Sequence, residues 1–306
     1  MPDDSTGRED VVLADGPWTH RQIAANGARF HVAEVGEGPL VLLLHGFPTF
    51  WWTWRHQLTA LAAAGYRAVA MDLRGYGGSD KTPRGYDPIT LTGDVAGVVQ
   101  SLGEAEATIV GHGWGGVLAW TSAVFEPKVV TRLAVISAAH PRRMRSAVID
   151  RQQLAASSYV LGYQRPWIPE RQLVADDGAA VGNLLREWSA TPGWPDADTE
   201  ATYRRAIQIK AVAHSALEYH RWAMRSLARP DGLRYARRMR APIPRPVLHL
   251  HGARDPVVRP STAAGSGRYV AGPYAWSVVP EVGHFPQEEA PEAVSAALVS
   301  WLAGTP

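Results

Sequence analysis

The sequence predicts an α/β protein: a mostly parallel, doubly wound sheet with a block of helices inserted into it. Short apolar runs alternate with helix-length stretches from residue 40 to 136 and again from 247 to 302. That alternation is the pattern of parallel strands buried on both faces. Between residues 140 and 246 it stops, and helical segments, turn-forming prolines and tryptophans take over with no strand pattern. A third observation locates the centre of the chain. Val110-Gly111-His112-Gly113-Trp114-Gly115-Gly116 is a bend crowded with small residues between an apolar run and a helix.

In order along the chain, residues 1–10 are polar and acidic, and residues 1–16 read as a disordered lead-in. Residues 19–35 alternate around Asn26-Gly27, a two-residue hairpin signal. Leu40 to Leu44 is a five-residue apolar strand, followed by His45-Gly46-Phe47-Pro48. Trp52 to Ala64 reads as a helix stopped by Gly65. Ala68 to Met71 is a strand leading into the loop Asp72-Leu73-Arg74-Gly75-Tyr76-Gly77-Gly78-Ser79-Asp80, and Thr90 to Leu102 is helical. The strand 107–110, the bend and the helix 114–126 come next, then the strand Leu133 to Ile136. The sheet resumes at Val247 to Leu250, continues at Trp276 to Val279, and a helix from Pro291 to Leu302 ends it. The expected division is therefore a core of residues 17–139 and 247–306 with a helical cap of residues 140–246. Pro242 to Pro246 is the expected exit hinge.

The totals bound the function. With no cysteine, disulfides, thiolate catalysis and cysteine metal sites are excluded. No run approaches the roughly 20 apolar residues of a membrane span, and no signal-peptide core is present, so a cytoplasmic protein is expected. The net charge is only +2, yet residues 141–246 hold 18 Lys and Arg against 10 Asp and Glu. A solvated basic face accounts for this; no nucleic-acid motif accompanies it, so no nucleic-acid partner is expected. His249 and His251 lie two apart on one strand face with no third ligand in view, and neither metal nor cofactor is expected.

Chemistry gathers where ligands bind in open α/β sheets, at the carboxyl ends of strands. A strand that turns abruptly into a helix holds its central residue in a strained conformation, beside the positive end of the helix dipole. Gly113 stands at that point. Asp255 follows the strand 247–250, and Gly283-His284-Phe285 follows the strand 276–279. Their chain order (bend, acid, histidine) suits a carboxylate holding His284 in the tautomer of a general base. The backbone N–H groups of Phe47 and Trp114 are the candidate oxyanion hole. His45, Pro48, Trp52, His112 and Phe285 are candidate pocket residues, the tryptophans suiting an apolar cavity.

These motifs resemble the α/β-hydrolase superfamily and, within it, the epoxide hydrolases, over roughly residues 17–303. The resemblance rests on His45 to Pro48, the Asp72 to Asp80 loop, the bend, Asp255 and Gly283 to Phe285. In the cap, Tyr159 stands five residues before Gln164 in Tyr-x-x-x-Tyr-Gln. The resemblance implies that Tyr159 protonates an epoxide oxygen as the ring opens. It implies a second cap acid near Ala216 to Arg221, where His220 falls at the expected place and Tyr219 one residue early. It further implies a two-step reaction on a small apolar epoxide: a carboxylate at the bend forms an alkyl ester, which a water activated by His284 hydrolyses. Haloalkane dehalogenases and esterases share the layout, but the dehalogenases hold halide with an Asn where Phe47 stands.

Gly113 departs from that pattern, because glycine has nothing to attack with. In a serine-hydrolase triad, removing the nucleophile costs on the order of 10⁶ in turnover. Three readings stay open: a replacement in an otherwise working epoxide hydrolase, direct hydration by a water that His284 and Asp255 activate, or a binding protein without turnover.

Overall fold

Asn26 and Gly27 both take positive φ, 44° and 74°, and close a tight antiparallel hairpin between β1 (Thr19–Ala25) and β2 (Ala28–Val35). The left-handed region is open to Asn and Gly at little cost, which is why this pair turns the chain here. The structure, a computed structural model, describes residues 10–304. The strands that follow are β3 (Leu40–Leu44), β4 (Arg67–Met71), β5 (Ala107–His112), β6 (Val130–Ile136), β7 (Val247–Gly252) and β8 (Tyr274–Val279). All five residues of β3 and all six of β5 are buried, as continuous apolar runs in a covered sheet require.

The eight strands form one sheet in the order β1-β2-β4-β3-β5-β6-β7-β8. β2 pairs antiparallel with β1 and β4, and every later pairing is parallel. Covering helices are α1 (Arg55–Ala63), α2 (Pro88–Ser101) and α3 (Trp114–Phe125). A one-turn 3-10 segment, Trp51–Trp54, precedes α1, so the helix expected from residue 52 starts later. β3 and β5 are neighbours in space although β4 lies between them in sequence. Their C-terminal loops therefore diverge and leave a crevice, the place where such sheets take ligands.

Between β6 and β7 the chain leaves the sheet. It forms α4 (Pro141–Ser146), α5 (Arg151–Ala156), α6 (Tyr159–Gly162), α7 (Ile168–Trp188), α8 (Ala197–Ile207), α9 (Val212–Arg225) and α10 (Pro230–Arg238). α7 is broken at Ala175 to Gly178, where the backbone is not helical. Tyr203 of α8 donates to Glu288, which also pairs with Arg55 of α1 at 2.9 Å, so the inserted helices and those against the sheet share a polar clamp. Within the expected hinge, Ile243 makes a single parallel bridge to Val270. After β7 come α11 (Pro260–Ala263), β8, α12 (Pro286–Glu289) and α13 (Pro291–Gly304).

The lead-in needs a correction. Asp10–Leu13 is a 3-10 turn with Val11 and Val12 buried, and the Trp51 indole donates to the Val12 carbonyl at 2.8 Å. Two buried valines and the Val12 bond to Trp51 tie this segment to the core; the rest of the expected lead-in, residues 1–9, lies outside the described residues. No helix among the described residues is long and apolar enough to cross a membrane.

Candidate active site

β5 runs straight into α3 through Gly113, which takes φ 53°, ψ −117°. A side chain would be strained there, but glycine is not. Its neighbours are small for another reason. A Cβ on Gly115 would meet the Leu44 carbonyl oxygen at 2.1 Å, so only glycine lets α3 seat against β3. The Gly113 N–H donates to Ile136 at 3.1 Å, and its carbonyl accepts from Val117 at 3.0 Å. The elbow is thus pinned from both sides while its Cα faces the crevice.

His284 stands opposite. A Cβ placed on Gly113 would lie 3.6 Å from His284 Nε2 and 3.5 Å from the Gly46 Cα, the two atoms beyond its chain neighbours within 4 Å. That is ordinary contact distance, so the site has room for a side chain and places it against the imidazole. On its other edge His284 Nδ1–H donates to Asp255 Oδ2 at 2.9 Å. Asp255 Oδ1 accepts from the Val257 and Val258 amides at 2.8 and 3.0 Å, and Oδ2 lies 3.2 Å from His251 Nε2. Burial alone would raise the Asp255 pKa. His284 and His251 beside it outweigh that and hold the carboxyl well below the usual carboxylate range. The carboxylate stays ionised and fixes the imidazole tautomer.

The loop carrying His284 is held by its backbone. The His284 N–H donates to the Trp188 carbonyl of the cap at 2.8 Å, and His112 Nε2–H donates to the His284 carbonyl at 2.8 Å. Glu289 accepts from Gly283 N–H at 2.9 Å and from Phe285 N–H at 3.0 Å. The same carboxylate accepts from Ser189, Ala190 and Thr191 of the cap.

Over the elbow lies a cavity of about 320 Å³ whose wall includes Phe47, Gly113, Trp114, Tyr159, Trp188, His220 and His284. Met144, Leu154, Trp222 and Met239 make its further wall apolar. Tyr159 packs on Trp188 with ring centroids 5.2 Å apart, and Trp188 packs on His284 at 5.6 Å. Burial first, then Tyr163 and Asp255 nearby, push the Tyr159 phenol far above its ordinary value, so it keeps its proton.

Several expected residues fall elsewhere. Tyr219 does not line the cavity; its phenol donates to the Arg74 carbonyl at 2.8 Å, where it ties the cap to the Asp72 to Asp80 loop. His220 does line it, but both ring nitrogens are engaged. Nδ1–H donates to Ala216 at 3.2 Å, and Nε2 accepts from the Trp114 indole at 3.1 Å. Burial lowers its pKa to about 4, so it is neutral with no proton aimed into the cavity.

All five pocket candidates fall off the cavity wall, and all but Trp52 are buried. His45 Nδ1–H donates to Gly46 and its Nε2 accepts from Leu73 N–H at 3.0 Å. Trp52 packs beneath Arg55 and against Tyr203, and His112 is fully buried behind the elbow. Phe285 packs on Trp188 and Trp194, and Pro48 is buried beside its cis bond to Phe47. His249 and His251 go to Tyr274 and Val258, at 3.0 and 2.7 Å, as core histidines do. Trp188 and Glu289 were missed by sequence reasoning. Glu289 sits in the first turn of a short helix five residues after His284, the one local signal available. Nothing local marks Trp188.

A sharp strand–glycine–helix elbow, an acid–histidine pair at neighbouring strand ends and a helical cap over an apolar cavity define an α/β-hydrolase architecture. Residues 41–297 match the family described as alpha/beta hydrolase. The chain belongs to that family, in its epoxide hydrolase-like branch. Epoxide hydrolase 3 of Xenopus tropicalis is 33% identical over 301 residues, covering 94% of this chain and 78% of the relative. Epoxide hydrolase A of Mycobacterium tuberculosis is 30% identical over 320 residues, covering 94% and 98%. A solved epoxide hydrolase from an endophytic Streptomyces is similar with TM-score 0.82 at 30% identity, covering 95% of this chain and 96% of that one.

Proposed function

We propose that the chain takes a small apolar epoxide beneath its cap and hydrates it directly to a diol, slowly and without a covalent enzyme ester. The observation that carries this reading is the 3.6 Å between His284 Nε2 and the Cβ position of Gly113. A water bound in that space is within reach of a base already oriented by Asp255 at 2.9 Å. His284 Nε2 takes a proton from the water as its oxygen bonds to a ring carbon. The carbon–oxygen bond of the ring breaks, and the ring oxygen takes the Tyr159 proton. Proton return from His284 to Tyr159 completes the cycle.

Phe47 and Trp114 amides stand as the oxyanion-hole candidates, and neither donates to an acceptor among the described residues. The test is a single turnover in oxygen-18 water. Label in the diol from the first turnover, lost in His284→Ala, is the expected result; label appearing first in the protein overturns direct hydration.

A binding role without turnover is the second reading. One observation favours it: His220, at the expected place of the second acid, has both nitrogens occupied. It requires saturable affinity for an apolar epoxide, undiminished by His284→Ala, with no diol formed.

A further inference from the structure

We propose that the mouth of the cavity, where the cap opens to solvent, docks on an anionic lipid bilayer. Its readout is partition onto vesicles and not turnover, so it is tested apart from the epoxide reading above.

The mouth is apolar on its outside as well as its inside. Leu154 of α5 and Leu161 of α6 line the cavity, yet they are 54% and 59% exposed. Leu227, just after α9, lines it too and is 37% exposed. A side chain that both lines a cavity and faces solvent stands at its rim. One exposed leucine is ordinary, but three around one opening form an apolar collar. The turn leading into α5 adds Ile149, which is 89% exposed.

The charge at the same opening is of one sign. Arg142 and Arg145 of α4 line the cavity, and no Asp or Glu does so among the described residues. Arg145 donates to the Leu227 carbonyl at 2.9 Å, which sets its guanidinium on the rim, and the Arg142 Nε is buried without a hydrogen-bond partner. Arg151 is exposed one helical turn before Leu154, so the two share a face of α5. None of these three arginines pairs with a carboxylate among the described residues. The one acid in residues 141–169, Asp150, accepts from the Gln152 and Gln153 amides and caps α5.

Apolar side chains ringed by unpaired arginines suit an anionic bilayer: the leucines enter the headgroup region and the arginines meet phosphates. A bilayer also covers the outer faces of the leucines, which a ligand held inside the cavity would leave in water. A second copy of the chain fits worse. Across a twofold axis the same surface faces itself, and arginines would meet arginines. Part of the basic excess of the cap is thus gathered where an apolar substrate enters, and a substrate dissolved in the bilayer reaches the cavity without crossing water.

The experiment is cosedimentation of the full chain with vesicles of phosphatidylcholine alone, and of phosphatidylcholine and phosphatidylglycerol in equal parts. The chain should bind the mixed vesicles at low salt and leave them at high salt. Each arginine near such a surface contributes about fivefold in partition, so Arg145→Gln with Arg151→Gln should cost about thirtyfold. Leu154→Ser with Leu161→Ser should cost about tenfold or more, with a melting curve to check that the fold is kept. On the mixed vesicles, amide hydrogen exchange should slow in residues 141–162 and 226–229. Binding to neither vesicle, equal binding to both, unchanged partition in the arginine variant, or slowing confined to other segments overturns the proposal. A dimer in place of vesicle binding, dissolved by the leucine variant, assigns the collar to a second copy and overturns it too. Slowed exchange with decanoate below its micelle concentration, without vesicle binding, gives the arginines to a free acid in the cavity and overturns it equally.

Discussion

Glu289 holds His284 by the backbone on both sides, accepting from Gly283 N–H at 2.9 Å and from Phe285 N–H at 3.0 Å. Its second set of contacts, to Ser189, Ala190 and Thr191, belongs to the cap. One carboxylate therefore holds both the His284 loop and the cap segment above it. Glu289→Ala leaves those N–H groups without their charged acceptor and should cost about 3 kcal/mol of stability. It should also lower kcat more than it raises KM, because the base loses its aim; a melting curve and kinetics on one epoxide check both. An unchanged kcat would make the contact purely structural.

Gly113→Asp should raise epoxide turnover by several orders of magnitude, since its Cβ would stand 3.6 Å from His284 Nε2. The same change puts a side chain at φ 53°, ψ −117°, which should lower stability by about 1–3 kcal/mol. Opposite signs in rate and melting temperature are the signature. A rate equal to that of the parent chain counts against the epoxide reading.

Asp255→Asn keeps the shape and removes the charge that fixes the His284 tautomer. A loss of about 10⁴ in kcat is expected, the size seen for the equivalent change in a serine protease. His284→Ala should abolish diol formation altogether, and residual diol at the parent rate would place the base elsewhere.

Tyr159→Phe removes the proton donor and should cost about 10²–10⁴ in kcat with the fold intact. His220→Phe is the contrast. It strips the Trp114 indole of its acceptor and should cost stability while leaving kcat within a few-fold. If the two variants lose equal activity, the assignment of Tyr159 as the acid fails.

Acid should unfold the chain from an unusually high pH. Burial lowers the pKa of His220 from 6.5 to about 4, and those of His112 and His140 from 6.5 to about 3. Between those values and 6.5 the unfolded chain binds protons that the folded chain refuses, so stability is full above pH 6.5 and falls as pH drops. For His220 alone the loss is on the order of 3 kcal/mol by pH 4. Asp255, held low in the folded chain, adds its own loss only below its ordinary value of 3.8. His220→Gln should flatten the slope of melting temperature against pH between 6.5 and 4; an unchanged slope would mean the imidazole already exchanges protons there.

The strands, the hairpin and the elbow were legible because each is a local pattern. Apolar runs of five or six residues, Asn-Gly between alternating strands, and glycines where α3 must touch β3 all report backbone demands that neighbours in sequence create. Asp255 and His284 were legible for the same reason: each follows a strand at the end where such sheets take ligands. The pocket candidates were not. His45, Trp52, His112 and Phe285 carry the right chemistry, yet each is claimed by a partner remote in sequence, such as Leu73, Tyr203, His284 or Trp194. The same holds in the cap, where one helical step decides between Tyr219, turned to the Arg74 carbonyl, and His220, turned to Trp114. Residue order sets which backbone turns are possible, and long-range packing then chooses which side chains face the cavity, because hydrogen-bond partners are satisfied across the fold and not along the chain.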